Sequence, residues 1–170
     1  MPTTADAAVT GLRSADVVDG DLVLILNNTI AAIEDARQRI ERQLEPLELS
    51  PRVVNRLEVI LEELVSNVVR HGFDPRSDQS IRLVVGVRPE AVDLTIEDDG
   101  RPFDPTAAAQ PSPLESLETA KLGGLGIPLV RKLSASLRYE PIAPGAGLRQ
   151  LSDRLFEPRN RVIVSVATAA

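Results

Sequence analysis

Three short segments of the sequence combine polar residues and glycines at spacings that could serve a binding or catalytic site. In the first, Glu63, Asn67 and His71 are four residues apart and would form one ridge on a helix. That ridge lies at the edge of the apolar stripe, whereas a purely solvating face would lie opposite it. A glutamate there could act as a general base, and the asparagine oxygen could bind a hard cation such as Mg²⁺. Polar residues are also common at helix boundaries, so the ridge alone does not require a site, and for His71 we favour a capping role.

The second segment follows an apolar strand and turns at Asp98 and Gly100. A carboxylate at the buried end of a strand can accept a hydrogen bond from an amino group such as that of adenine. A glycine two residues later would allow the backbone to approach a flat ring closely. Asp-Gly is also a common turn dipeptide, so a plain β-turn remains an alternative interpretation.

The third segment is a glycine cluster, Gly123, Gly124 and Gly126, directly before a predicted helix. Glycines at a helix start expose backbone N–H groups at the positive end of the helix dipole, which suits a phosphate. Pro128 fits the first turn of such a helix. The sequence contains neither a P-loop nor a G-x-G-x-x-G dinucleotide fingerprint. A flexible hinge or an ordinary helix start is the alternative interpretation.

Composition indicates one globular domain. The chain has 170 residues, of which 43% are hydrophobic and 26% charged, and it has no cysteine for a disulfide or a thiolate site. The net charge is -6, and with 2% aromatic residues and scattered basic ones a nucleic-acid partner is not expected. The longest aliphatic run, 22–26, is too short to cross a bilayer, and no secretory signal is recognisable. We therefore expect a cytoplasmic protein with no membrane contact.

The hydrophobic pattern predicts an α+β fold, a two-layer sandwich of helices on a mixed, mostly antiparallel sheet. Residues 1–20 are expected to form a flexible tail, and 21–170 the domain. A proline-rich loop over 105–122 is interpreted as a lid, and 141–159 as an insertion before the last strand. The predicted helices are 29–45, 51–71 (with Ser50 as N-cap) and 126–133, and the predicted strands are 22–26, 81–87, 91–96, 136–139 and 161–166.

Taken in order, the three segments resemble the N-box, G1 and G2 motifs of the GHKL ATPase superfamily, which includes gyrase B subunits and histidine kinases. Within it, the chain is most similar to the bacterial anti-sigma-factor serine kinases. The run E-x-x-x-N-x-x-x-H-G-F over 63–73 carries this narrower resemblance, together with D-x-G-x-x-F-D-P over 98–105 and the glycine cluster. The resemblance spans roughly residues 20–140, and 160–166 would close the sheet. It implies the GHKL ATP-binding fold, with ATP and Mg²⁺ as cofactors.

The resemblance also implies a role for each motif residue. Glu63 would be the general base for a protein serine hydroxyl, Asn67 would hold Mg²⁺, and Asp98 would read the adenine amino group. Contact with the nucleotide is further implied for Gly100 at the base, for Gly124 and Gly126 at the phosphates, and for Phe103 and Gly123 within the same site. The implied partners are an anti-anti-sigma (STAS-domain) protein, as substrate, and a sigma factor, and relatives commonly form homodimers.

Three departures from the family pattern keep alternatives open. Pro102 replaces the second glycine of D-x-G-x-G, Pro128 stands where a larger side chain is usual, and 141–159 looks inserted. A GHKL-type fold that sequesters a partner without catalysis is therefore the main alternative, although a pure binding module needs no base at Glu63. A detached histidine-kinase ATPase domain is a further alternative. We favour it less, because the single histidine, His71, lies inside the first motif and no preceding dimerisation helices are recognisable.

Overall fold

The computed structural model describes residues 11–72, 79–107, 126–151 and 154–169. Over these residues it has three α-helices: α1 (Ala31–Leu44), α2 (Pro51–Asn67) and α3 (Gly126–Leu133). A 3₁₀ turn, Glu45–Leu47, follows α1, and a π-helical turn, Val68–Gly72, continues α2. The described strands are β1 (Leu12–Val18), β2 (Asp21–Asn27), β3 (Ser80–Val87), β4 (Ala91–Asp98), β5 (Ser136–Pro141), β6 (Arg149–Gln150), β7 (Leu155–Phe156) and β8 (Asn160–Ala167).

Six of these strands form one sheet in the order β1-β2-β3-β4-β8-β5. Every neighbouring pair is antiparallel, so the predicted α+β sandwich is confirmed, while the described sheet has no parallel pair to make it mixed. The last strand, β8, lies between β4 and β5. This placement sets Asn160, at the start of β8, opposite Asp98, at the end of β4.

The core lies between the helices and one face of the sheet. Alternate residues of the central strands point to that face, and Leu24, Leu83, Leu94 and Val164 are completely buried there. The apolar stripe of α2 covers them, with Leu57, Leu61 and Leu64 also buried. Ser50 caps this helix, as predicted, since its side chain accepts a hydrogen bond from the amide of Val53. No described helix is long and apolar enough to cross a membrane.

The prediction of a flexible tail over residues 1–20 is wrong for residues 12–18, which form β1. Residues 1–10 lie outside the described residues. Asp19 and Gly20 join β1 to β2 in a two-residue turn, and both have a positive φ, of 52° and 88°. That backbone twist matches the twist of paired strands, and Asp-Gly is a preferred sequence for it. The hairpin therefore extends the sheet by one strand beyond the prediction.

The segment interpreted as an insertion, 141–159, carries a small second sheet in which β6 pairs with β7. Phe156 of β7 is completely buried, yet it is not part of the cluster between helices and sheet. Arg149 of β6 reaches Glu97, whose strand neighbours Ile96 and Asp98 point to the helix side. The β6–β7 hairpin therefore packs on the face of the sheet opposite the helices, which we call the open face.

Candidate functional site

The carboxylate of Asp98 lies at the end of β4 and is only 4% exposed. Its Oδ1 atom accepts hydrogen bonds from the amide of Gly100 and from Nδ2 of Asn160, both at 2.9 Å. Burial raises the pKa of Asp98 to about 6, although these two hydrogen bonds act to lower it. The side chain is therefore ionised at neutral pH and available as an acceptor at the bottom of a pocket.

That pocket lies between the end of α2 and the ends of β4 and β8. Its walls are mainly apolar, with the hydrogen-bonded pair Asp98 and Asn160 at one point and the polar side chains of Asn67, His71 and Arg101 at others. The residues that line it are Leu64, Asn67, Val68, His71, Gly72, Ile96, Asp98, Arg101, Phe103, Pro105, Asn160 and Val162. Apolar walls with one buried acceptor suit a flat heteroaromatic ring that carries an amino group.

Asn160 links the carboxylate of Asp98 to the turn that follows it, a role that was not expected from the sequence. Its Nδ2 donates to Oδ1 of Asp98 and to the carbonyl of Arg101, each at 2.9 Å. Its Oδ1 accepts from the Tyr139 hydroxyl at 2.8 Å and from the Phe103 amide at 3.2 Å. With four such bonds and 2% exposure, Asn160 fixes both the carboxylate and the turn that follows it.

The turn after β4 is bonded to the end of the second helix. The amide of Arg101 donates to the carbonyl of Gly72 at 2.7 Å. A Cβ atom on Gly100 would overlap that carbonyl oxygen and lie 2.8 Å from Oδ1 of Asp98. Glycine is thus required here because two backbone segments approach each other beside the carboxylate.

We expect Gly100→Ala to destabilise the protein by about 1–3 kcal/mol, the usual cost of overpacking, and to displace Asp98, which would weaken nucleotide binding if Asp98 contacts the nucleotide. Thermal unfolding and calorimetric titration with Mg-ATP would measure the two effects. Gly86→Ala is the matched control, because the three atoms nearest to a Cβ there all belong to the end of the exposed Arg88 side chain. Equal stability of the two variants would contradict the assigned packing.

The three residues of the ridge predicted on α2 lie in two different places. Asn67 is the last residue of α2, and the chain then widens into the π-helical turn Val68–Gly72, a feature often found at functional sites. Asn67 and the exposed His71 line the pocket. Glu63 lies one turn earlier, where a Cβ on Gly126 would overlap its Oε2 atom. The half-buried Glu63 carboxylate therefore lies directly against the start of α3.

The glycine cluster and the lid are described only in part. Gly123 and Gly124 lie outside the described residues, as do residues 108–122 of the predicted lid, while Gly126 begins α3 as expected. At the start of the lid, Pro105 is buried and Thr106 bonds to the carboxylate of Asp104 at 2.7 Å through its amide. The Arg131 side chain of α3 donates to the carbonyl of Thr106, which ties the lid's first residues to that helix.

The donor groups present fit a nucleotide and one magnesium ion. The described residues contain no cluster of three or more His, Cys, Asp or Glu side chains suited to a metal. Magnesium bound with a nucleotide needs only one or two protein oxygens, because phosphates and water supply the rest. The half-buried amide of Asn67, at the edge of the pocket, meets that smaller requirement.

If Asp98 binds the amino group of adenine, acid should weaken that binding. Below about pH 6 the carboxylate of Asp98 gains a proton and ceases to be a full acceptor for an amino group. Between pH 7.5 and 5.5 the ionised fraction falls about fourfold for such a pKa, and the affinity should fall by the same factor. Because the phosphates of ATP titrate in this range too, the measurement is the ratio of wild-type to Asp98→Asn affinity at each pH. A ratio that stays constant would contradict the prediction.

Comparison with known proteins gives one family match and two similar proteins. Residues 26–148 match the family model of the histidine kinase-like ATPase domain. The serine/threonine-protein kinase BtrW of Bordetella bronchiseptica is 34% identical over 91 residues, which are 54% of this chain and 64% of that kinase. The histidine kinase domain of the Erythrobacter litoralis EL346 blue-light activated histidine kinase aligns with a TM-score of 0.45 at 15% identity, over 92% of this chain and 65% of that one. The matches thus cover just under two thirds of each relative.

Proposed function

The chain belongs to the histidine kinase-like ATPase domain family, and we propose that it is a serine/threonine protein kinase that uses Mg-ATP to phosphorylate a STAS-domain anti-anti-sigma protein while it sequesters a sigma factor. The 34% identity to a serine/threonine-protein kinase supports the type of acceptor. The motif resemblance supports the partners. The site geometry supports the roles of the individual residues, as follows.

The pocket around Asp98 is proposed to hold the adenine ring. The ionised carboxylate accepts a hydrogen bond from the ring's amino group, and the apolar walls exclude water from that bond. Asn160 keeps the carboxylate in one orientation, because it bonds Oδ1 and the following turn at once. Phe103, 43% exposed and part of the pocket lining, would cover the ring. Guanine has no amino group at the position equivalent to that of adenine, so the site would select adenine.

The position of Glu63 carries the kinase proposal. Its carboxylate lies against Gly126, at the end of α3 where backbone N–H groups and the helix dipole favour phosphate. When bound, Mg-ATP would supply the phosphoryl group, with Asn67 as a ligand of the metal. A serine hydroxyl brought to this place could pass its proton to Glu63, which raises the nucleophilicity of the serine oxygen. A protein that only sequesters a partner has no use for a base beside the phosphate position.

Calorimetric titration of the protein with Mg-ATP, Mg-ADP and Mg-GTP is the first test. We expect saturable binding of both adenine nucleotides and at least tenfold weaker binding of Mg-GTP, since the amino donor to Asp98 is lost. Incubation with γ-labelled ATP and the STAS-domain proteins of the same genome then tests transfer. Adenine binding without any labelled partner would favour the non-catalytic sequestering module, and absence of nucleotide binding would exclude the kinase.

A further inference from the structure

Four charged residues stand side by side across the open face of the sheet. In cross-strand register, Arg82 faces Glu97, Glu97 faces Arg161, and Arg161 faces Glu140. Glu97 is only 1% exposed and accepts hydrogen bonds from Arg82 at 3.1 Å and from Arg161 at 2.9 Å. The hairpin adds Arg149, whose Nη2 lies 3.3 Å from the same carboxylate. One buried carboxylate therefore serves three guanidinium groups.

A cleft of about 350 Å³ lies beside this row, between the first three strands and the β6–β7 hairpin. Among the described residues, three arginines line it, Arg13 from β1, Arg82 from β3 and Arg149 from β6, together with the hydroxyl-bearing Ser14 and one carboxylate, Asp16. Side chains of β2 supply an apolar floor. The cleft is within the range of small-ligand sites, about 300–1,000 Å³.

Three guanidinium groups beside this cleft, those of Arg82, Arg149 and Arg161, share the one carboxylate of Glu97. Burial lowers the pKa of Arg82, and the neighbouring positive charges of Arg149 and Arg161 lower it further, against the opposite effect of Glu97. The Nε atom of Arg149 is buried and has no hydrogen-bond partner among the described residues. A buried donor without an acceptor destabilises the free protein, and a bound anion would remove that cost.

We propose that the cleft binds a phosphoryl group, on the sheet face opposite the nucleotide pocket. Guanidinium forks pair with phosphate oxygens through two parallel hydrogen bonds, and a phosphate dianion has enough oxygens to accept from more than one arginine. The oxygens of a tetrahedral phosphate point in several directions, so they can accept hydrogen bonds from arginines of β1, β3 and the hairpin at once. The two oxygens of a carboxylate lie in one plane and can meet fewer of these donors. The phosphoryl group belongs either to a small phosphate compound or to a phosphoserine of a protein.

Titration with inorganic phosphate tests the cleft, in protein saturated with Mg-ADP so that the nucleotide pocket is filled. We expect saturable binding that Arg149→Gln weakens at least tenfold, because charge-assisted hydrogen bonds are lost. Arg138→Gln is the matched control: this arginine is 66% exposed on β5, three strands away from β3, and its loss should leave the affinity within about twofold. Thermal unfolding shows whether each variant is folded. If Arg149→Gln does not fold, Arg13→Gln takes its place in the titration, because it leaves the contacts of Glu97 intact.

A phosphoserine peptide, compared with its unphosphorylated form, identifies the source of the phosphoryl group. Tighter binding of the phosphopeptide than of inorganic phosphate would assign a protein ligand, and equal or weaker binding a small phosphate compound. Phosphate binding that is absent, or equal in wild type, Arg149→Gln and Arg13→Gln, would overturn the proposal. Because the cleft lies apart from Glu63 and Asp98, that result would leave the proposed kinase activity untouched. If Mg-ADP does not bind, the same titration is run on the free protein.

Discussion

Glu63→Gln is expected to slow phosphoryl transfer to a STAS-domain partner by about 10²- to 10⁴-fold, the usual contribution of a general base. Glutamine has the shape of glutamate, so the contact with Gly126 at the start of α3 is kept. Its amide cannot take up the serine proton, so only the transfer step should suffer. Single-turnover transfer from γ-labelled ATP measures the rate, and calorimetry should show Mg-ATP affinity within about twofold of wild type.

Glu62→Gln is the matched control, since Glu62 is exposed on the neighbouring position of the same helix and makes the same change in charge. Its transfer rate should remain at the wild-type level. Equal rates for wild type and Glu63→Gln would remove the assignment of the base. A loss of nucleotide binding together with transfer would instead show that Glu63 supports the structure of the pocket.

The elements around the site were predictable because local patterns determine them. The apolar stripe of α2, with Ser50 and Pro51 at its start, is readable from spacing alone. The hairpin of β3 and β4 follows from two apolar strands separated by a polar turn. Asp98 and Gly100 were singled out because an apolar strand runs there directly into an acidic turn that contains glycine and proline. Each of these signals lies within a window of about 20 residues.

The role of Asn160 was not predictable by the same means. Its bonding partner, Asp98, is 62 residues away along the chain, and only the insertion of β8 between β4 and β5 brings the two together. A partial signal was present: Asn160, Val162, Val164 and Val166 all point to the core, so Asn160 is a polar residue on a buried face. Such a residue needs a polar partner, but the sequence does not say which.

Other differences have equally specific causes. Strand β1 was missed because polar Ser14 and Asp16 alternate with small apolar residues, which read as an irregular tail, although Asp19-Gly20 is a typical hairpin turn. The close approach of Gly100 to Gly72 depends on where α2 ends, and the π-helical turn that sets this end has no recognised sequence signal. The burial of Glu97 depends on the hairpin that covers it and on the neighbouring strand β8, and hence on contacts with Arg149 and Arg161, 52 and 64 residues away.

Asp98→Asn should weaken Mg-ATP binding by about 10- to 150-fold, which corresponds to the loss of a charged hydrogen bond of about 1.5–3 kcal/mol. Asparagine keeps one side-chain oxygen, which can still accept from Gly100 and Asn160, so the turn should remain folded. The other oxygen becomes an NH₂ group, and two donors would then face each other where the adenine amino group lies. Calorimetric titration of the variant gives the affinity, and its thermal unfolding gives the stability.

Asp93→Asn tests whether this effect is specific to the buried carboxylate. Asp93 lies on the same strand, partly exposed on the open face, where it accepts a hydrogen bond from the Ser165 hydroxyl. The same chemical change there should leave Mg-ATP affinity within about twofold, because an exposed charge far from the ligand is screened by solvent. If both variants bind as tightly as wild type, Asp98 does not read adenine. If both variants bind Mg-ATP more weakly to the same extent, the loss reflects the net charge of the protein. The pocket around Asp98 would then no longer be assigned to adenine.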